Sequence, residues 1–87
     1  MDEITLEMTI DLMKSEDYKD RFKAEYYQTK IRHDKLCNML VKLDAGTLEF
    51  RPNCPPQLLV DQKNSMDRYL HLLRVRAEIE GIDLGGN

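Results

Sequence analysis

Residues 18–43, YKDRFKAEYYQTKIRHDKLCNMLVKL, decide the architecture. Within them Phe22, Tyr26, Thr29, His33, Leu36, Leu40 and Leu43 recur at alternating steps of four and three, the spacing that sets side chains on one seam of a continuous helix. Ser15 or Asp17 can cap its start, because a short side-chain oxygen accepts from first-turn amides that lack an intrahelical partner. Asp44-Ala45-Gly46 supplies the glycine that ends it. The pattern predicts a helix over about 17–43, roughly 39 Å long at 1.5 Å per residue.

Outward from this helix, Thr47-Leu48-Glu49-Phe50-Arg51-Pro52-Asn53-Cys54-Pro55 breaks the period and predicts an ordered connector over 44–54, with Leu48 and Phe50 tucked onto the hairpin end. Pro55-Pro56 opens a second helix over about 55–80, since first-turn amides have no intrahelical partner and proline's missing N–H costs nothing there. Its inner stripe is Leu59, Gln62, Met66, Leu70, Leu73 and Ala77, and Gly81 stops it ahead of a tail over 81–87. Two helices of nearly equal length on a short connector fold back as an antiparallel hairpin. The N-terminal Ile4-Thr5-Leu6-Glu7-Met8-Thr9-Ile10-Asp11-Leu12-Met13 fits either a strand or a helix. We read it as a short helix over about 4–14, since a lone strand would have no sheet to join. The expected fold is all-α and a single domain over 1–87.

Both long helices carry apolar residues off the inner seam: Tyr27, Ile31 and Val41 on the first, Tyr69, Leu72, Val75 and Ile79 on the second. Two facing helices hide one stripe apiece, so the second set must meet the N-terminal segment or another copy. The segment can cover part of one helix and not both outer stripes. At 87 residues a single chain buries a modest core, and association is the usual remedy. A homo-oligomeric helical bundle is therefore expected.

The net charge of -3 conceals an uneven distribution. Residues 1–20 hold seven acids and two bases, residues 21–76 eleven bases and six acids, and residues 77–87 three acids. A moderately basic hairpin can attract a compact anion but lacks the dense basic stripe of a duplex binder, so nucleic acid is not an expected partner. No apolar run approaches the roughly 20 residues that span a bilayer, so no membrane association is expected. Cys37 and Cys54 form no CxxC pair and His33 and His71 have no ligand-spaced neighbours, so neither metal nor cofactor is expected. A disulfide between the two cysteines stays open on paper. The acidic start Met1-Asp2-Glu3 carries no secretory signal, which favours a reducing cytoplasm with both thiols as small packing residues.

No catalytic constellation assembles. His33 with Thr29 one turn away could move a proton, but a polar layer fixing helix register is the better reading. Cys37 lies in a helix interior, which does not activate a thiol; Cys54, near a helix N-terminus, is better placed yet still favoured as structural. A non-enzyme is expected. Binding is more promising: Lys23, Tyr27 and Lys30 share a helix face with Tyr26 beside them, while Arg68, His71, Arg74 and Arg76 concentrate on the second helix. Tyrosines stack on flat rings and cations neutralise phosphate, so these eight could hold a nucleotide-like ligand between subunits. Tyr and Arg also anchor protein interfaces or decorate solvated faces, and these residues alone leave the three readings open.

The stretch Met13-Lys14-Ser15-Glu16-Asp17-Tyr18-Lys19-Asp20-Arg21-Phe22-Lys23-Ala24-Glu25-Tyr26-Tyr27-Gln28-Thr29-Lys30-Ile31-Arg32, then Lys35-Leu36, Ala45-Gly46-Thr47-Leu48, Cys54-Pro55 with Leu58-Leu59, and Arg76-Ala77-Glu78-Ile79-Glu80-Gly81-Ile82 carry a family likeness. They resemble small, mostly uncharacterised bacteriophage proteins named after a gene product of crAss-like phage, over nearly all of residues 8–84. The resemblance implies an accessory protein in the cytoplasm of an infected bacterium. By analogy with other small helical phage proteins it implies an oligomeric sponge that sequesters a cyclic nucleotide or cyclic ADP-ribose-type immune signal without cleaving it. The alternative is a helical inhibitor or adaptor of a host defence protein, of anti-CRISPR or anti-restriction type.

Overall fold

The structure is a computed structural model and describes residues 4–85; the acidic start Met1-Asp2-Glu3 and the end of the tail, Gly86-Asn87, lie outside the described residues. It is all-helical: α1 spans Met8–Met13, α2 Tyr18–Ala45 and α3 Pro56–Glu80. α1 is shorter than the 4–14 that the sequence suggests. Thr9 turns its hydroxyl back to the Leu6 carbonyl at 2.6 Å, and Ser15 is drawn into the start of the next helix, donating to Asp20 Oδ2 at 2.8 Å. Asp17 is the N-cap of α2, its Oδ1 accepting from the Lys19 amide at 2.9 Å. Ser15 supports it from outside by accepting from the Asp17 amide at 3.0 Å.

α2 continues two residues beyond Leu43 because Gly46 is the first position free to adopt the left-handed turn, at φ 77°. The 6→1 bond that closes such a cap runs from the Thr47 amide to the Lys42 carbonyl at 2.9 Å. Its 28 residues amount to about 42 Å, matching the 43 Å long axis of the molecule. α3 begins one residue after the cap Pro55 and ends at Gly81, φ 70°. The Ile82 amide then bonds the Ala77 carbonyl at 2.9 Å, which turns the Ile82 side chain back into the hairpin.

α2 and α3 run antiparallel: as the α2 partner advances from Tyr18 to Tyr26 to His33, the α3 partner retreats from Arg76 to Arg74 to Asp67. The core lies at the open end of this hairpin, where Phe22, Tyr26, Leu70, Leu73, Ala77 and Ile82 are buried together and Tyr27 and Leu84 pack against them. Toward the connector the seam loosens. Leu36, Leu40, Leu43, Leu59 and Met66 are half-buried. Gln62, expected on the inner stripe, is exposed, since it sits about 80° around α3 from Leu70. Phe50 does not tuck in as expected: Leu48 is half-buried, but Phe50 stays 59% exposed and lines an open concavity with Leu43 and Leu48.

α1 packs on α2 and not on α3. Ala24 is the small residue that lets it approach, and Gln28 Nε2 donates to the buried Thr9 hydroxyl at 3.0 Å. The N-terminal segment thus covers one flank of α2, leaving the second stripe of α3 uncovered within the chain. Leu73, 1% exposed at the centre of the core, decides stability. Leu73→Ala should cost about 2–5 kcal/mol in urea unfolding, whereas Val41→Ala, at a site 66% exposed, should change stability by less than about 0.5 kcal/mol.

Candidate functional site

The polar chemistry of the hairpin gathers along one flank of the α2–α3 seam. His33 stands one and a half turns beyond the core, and its Nε2 meets Asp67 Oδ1 across the two helices. Its Nδ1 lies 3.1 Å from Asp34 Oδ1. Each carboxylate is held in turn by a lysine one turn back on its own helix, Lys30 to Asp34 at 2.8 Å and Lys63 to Asp67 at 3.0 Å. Each ring nitrogen faces a carboxylate, one from each helix, so the ring is a strut between two anions. Cys37 Sγ, one turn along α2, lies 3.5 Å from His33 Nε2. Thr29, in sequence only the less favoured proton-transfer partner of His33, is not the group that meets the ring; α3 brings the Asp67 carboxylate to it. The spacings Lys30/Asp34 and Lys63/Asp67 are visible in sequence; their meeting at His33 is not.

The electrostatics follow from these contacts. Burial pushes the Asp34 carboxyl up, but hydrogen bonds from Lys30 and His33 outweigh it and hold the group below the ordinary carboxylate range. Asp67 is held below that range by Lys63 first and His33 second. Tyr27 is pushed up by burial, then by Asp83 and Tyr26. It therefore keeps its proton, which it donates to the Leu84 carbonyl at 2.7 Å.

Of the residues singled out in sequence, five share this flank. Tyr26 is buried in the core, with its hydroxyl accepting from Arg74 Nε at 3.2 Å and the Arg74 guanidinium 5.7 Å from its ring centre. Tyr27 meets Tyr26 edge to face at 5.6 Å and is half-buried under the tail. Lys23 and Lys30 are half-buried neighbours of Tyr27 on α2. Arg74 lies seven residues from Asp67, hence on the same face of α3, and Asp67 leads through His33 and Asp34 to Lys30.

The remaining three lie elsewhere. Arg76 is 200° around α3 from Arg74 and leaves on the opposite flank. There it donates to the Tyr18 hydroxyl at 2.6 Å and to Glu80 at 3.3 Å, with its guanidinium 5.0 Å from the Phe22 ring centre. That aromatic–cation clamp was not anticipated; the only sequence signal for it is an arginine that falls one helical flank away from the core stripe. Arg68 and His71 are exposed on the outer side of α3.

A concavity of about 540 Å³ lies between the N-terminal segment and α2, lined by Thr5, Glu7, Ile31, Asp34, Lys35 and Asn38 among others. It touches the polar flank through Asp34 alone. Cys37 and Cys54 are free thiols, both half-buried. Among the described residues no group of three or more His, Cys, Asp or Glu is placed to hold a metal ion, and no helix is long and apolar enough to cross a membrane.

The strut sets a pH dependence with a definite sign. Because Asp34 and Asp67 have depressed folded-state values, the stability they contribute is complete above the ordinary carboxylate range and is lost as pH falls through their folded-state values. Thermal melts followed by circular dichroism should drop as pH descends through this window. Asp67→Asn should melt lower at pH 7 and respond less to acid than the parent. Identical melting curves for the two across the window would remove the strut from the stability of the fold.

The match to known proteins runs over these same elements. A family model described as Sequestin covers residues 16–79, from the cap of α2 through the connector to the last turn of α3. No curated protein and no solved structure gives a match. The family's name is consistent with a sequestering role and gives neither a phage of origin nor a ligand. With more than half of its length inside that match, and with both long helices and the polar flank included, the chain belongs to the Sequestin family.

Proposed function

We propose that this chain is a phage accessory protein that disarms a bacterial defence in the host cytoplasm. It acts as an oligomeric sponge: it binds a cyclic nucleotide or cyclic ADP-ribose-type immune signal and holds it unaltered, as a binder and not an enzyme. The observation that carries this reading is the Sequestin match over both long helices, whose name fits sequestration. The polar flank supports it chemically. Lys23, Lys30 and Arg74 supply cations for phosphate, and Tyr27 supplies a ring whose hydroxyl is already satisfied by Leu84.

Engaging a phosphate there is cheap. The Lys30–Asp34 pair is exposed at 37% and 51%, and an exposed i,i+4 pair is worth only about 0.3–0.5 kcal/mol, less than a charge-assisted bond to phosphate. Arg68 and His71, on the outer side of α3, contribute only where a second copy closes over them.

Isothermal titration against cyclic dinucleotides, cyclic oligonucleotides and cyclic ADP-ribose compounds tests the proposal. One class should bind and be recovered chemically unchanged after denaturation. A Lys23→Ala, Lys30→Ala double variant should bind it at least about tenfold more weakly, with the small fall in melting temperature that loss of the exposed Lys30–Asp34 pair entails. Absence of heat across the whole panel, or recovery of a cleaved product, would overturn the proposal.

A further inference from the structure

The outer face of α3 carries an apolar stripe that none of the described residues covers. Leu58, Tyr69, Leu72, Val75 and Ile79 all lie on it, exposed at 40–79%, on the side of the helix away from Leu70, Leu73 and Ala77. Ile79 at 79% is the extreme case, two residues and about 200° around the helix from the buried Ala77. The total accessible surface points the same way. A monomeric protein of 10.2 kDa is expected to expose roughly 5,300 Å² by the usual mass scaling, and this one exposes 6650 Å². The excess exceeds the roughly 800 Å² that each partner buries in a standard interface.

We infer that this face pairs with the same face of a second copy, antiparallel, about a two-fold axis between Arg68 and Tyr69. The register is chosen by charge and by shape together. The polar residues of the stripe are Asp61, Gln62, Ser65, Arg68 and Arg76. In an isologous antiparallel pair each residue faces the one whose number completes a constant sum. With the axis between 68 and 69, Leu58 faces Ile79, Asp61 faces Arg76, Gln62 faces Val75, Ser65 faces Leu72, and Arg68 faces Tyr69, every pair occurring twice. The whole stripe from 58 to 79 overlaps.

Sliding one heptad to centre the axis on Leu72 sets Arg68 against Arg76. Sliding by three residues, so that Asp61 faces Ile79, opposes a carboxylate to the most exposed apolar side chain. Both alternatives forfeit the ion pairs. Asp61 is held only by Gln57 on its own helix; Arg76 already donates to Tyr18 and Glu80, but half of its side chain remains accessible, so its guanidinium can take Asp61 as a further acceptor.

The inference rests on the sponge reading only in requiring a second copy, and it has a consequence for that reading. Arg68 and Tyr69 of both copies converge at the axis, so a cation-and-ring pair from each chain meets where neither chain alone forms a site.

Charge exchange measured by sedimentation at about 100 µM protomer tests the register. The parent should sediment at twice 10.2 kDa or a multiple of it. Asp61→Arg alone and Arg76→Asp alone should each halve the mass or raise the dissociation constant at least about tenfold, and the double variant should restore the parent mass. Arg76 also touches Phe22, so circular dichroism is read alongside; Asp61→Arg carries no such contact and serves as the cleaner single change. A monomeric parent overturns both the interface and the oligomeric form of the sponge. A parent oligomer whose mass ignores Asp61→Arg, or a double variant that stays dissociated, overturns this interface and leaves ligand binding to be judged by titration.

Discussion

Phe22 and Tyr26 on α2 pack against Leu70, Leu73 and Ala77 on α3, and Ile82 closes the cluster from the tail. Everything else hangs on this knot. Full burial of Leu70 and Leu73 contributes about 1.5–3 kcal/mol each, whereas the exposed ion pairs along the seam contribute a fraction of that. The knot sits at one end because there the tail returns over both long helices. The left-handed turn at Gly81 brings Ile82 and Leu84 back over the helix pair, so Tyr27 can reach the Leu84 carbonyl. Toward the connector there are two layers instead of three, and the apolar side chains are only half-buried.

The polar residues divide along the same geometry. On one flank, His33 is wedged between Asp34 and Asp67, each neutralised by a lysine of its own helix. This fixes the sliding register of α2 against α3 in the half of the hairpin where packing is weakest. On the other flank, Arg76 lies over Phe22 and donates to Tyr18, covering the edge of the core with a cation whose planar head stacks on the ring. Tyr26, next to Tyr27 in sequence, goes inward, and Tyr27 goes to the flank. Adjacent residues on a helix diverge by 100°, and α3 selects which of the two is core. The flank with Lys23, Lys30, Tyr27 and Arg74 is then the cationic surface of the single chain, while Arg68 and His71 face away from it.

These two facts frame how a protein this small acts. The core of the hairpin fills one end, its second helix displays a run of exposed apolar side chains, and its cations are split between one flank of the seam and the outer face of α3. Sequestration suits that design, because holding a ligand needs stoichiometric sites and burial, with no group required to change its bonding state.

The sequence by itself determined the two long helices and, to within two residues, their ends, but it overstated α1, which spans Met8–Met13 and not 4–14. The four-and-three spacing, Asp17, Gly46, Pro55-Pro56 and Gly81 act through local backbone geometry, which needs no knowledge of the rest of the chain. It also determined that two helices could not hide both apolar stripes, since that is a matter of counting faces. Only the tertiary structure decided that α1 covers α2 and not α3, that Asp67 and not Thr29 partners His33, that Phe50 stays out while Ile82 turns in, and that Arg74 and Arg76 serve opposite flanks. Each of these depends on how α2 and α3 are rotated about their own axes when they meet. A rotation of a few tens of degrees leaves the periodicity of the sequence untouched while changing which side chains touch, so it is fixed by packing between residues far apart in the chain.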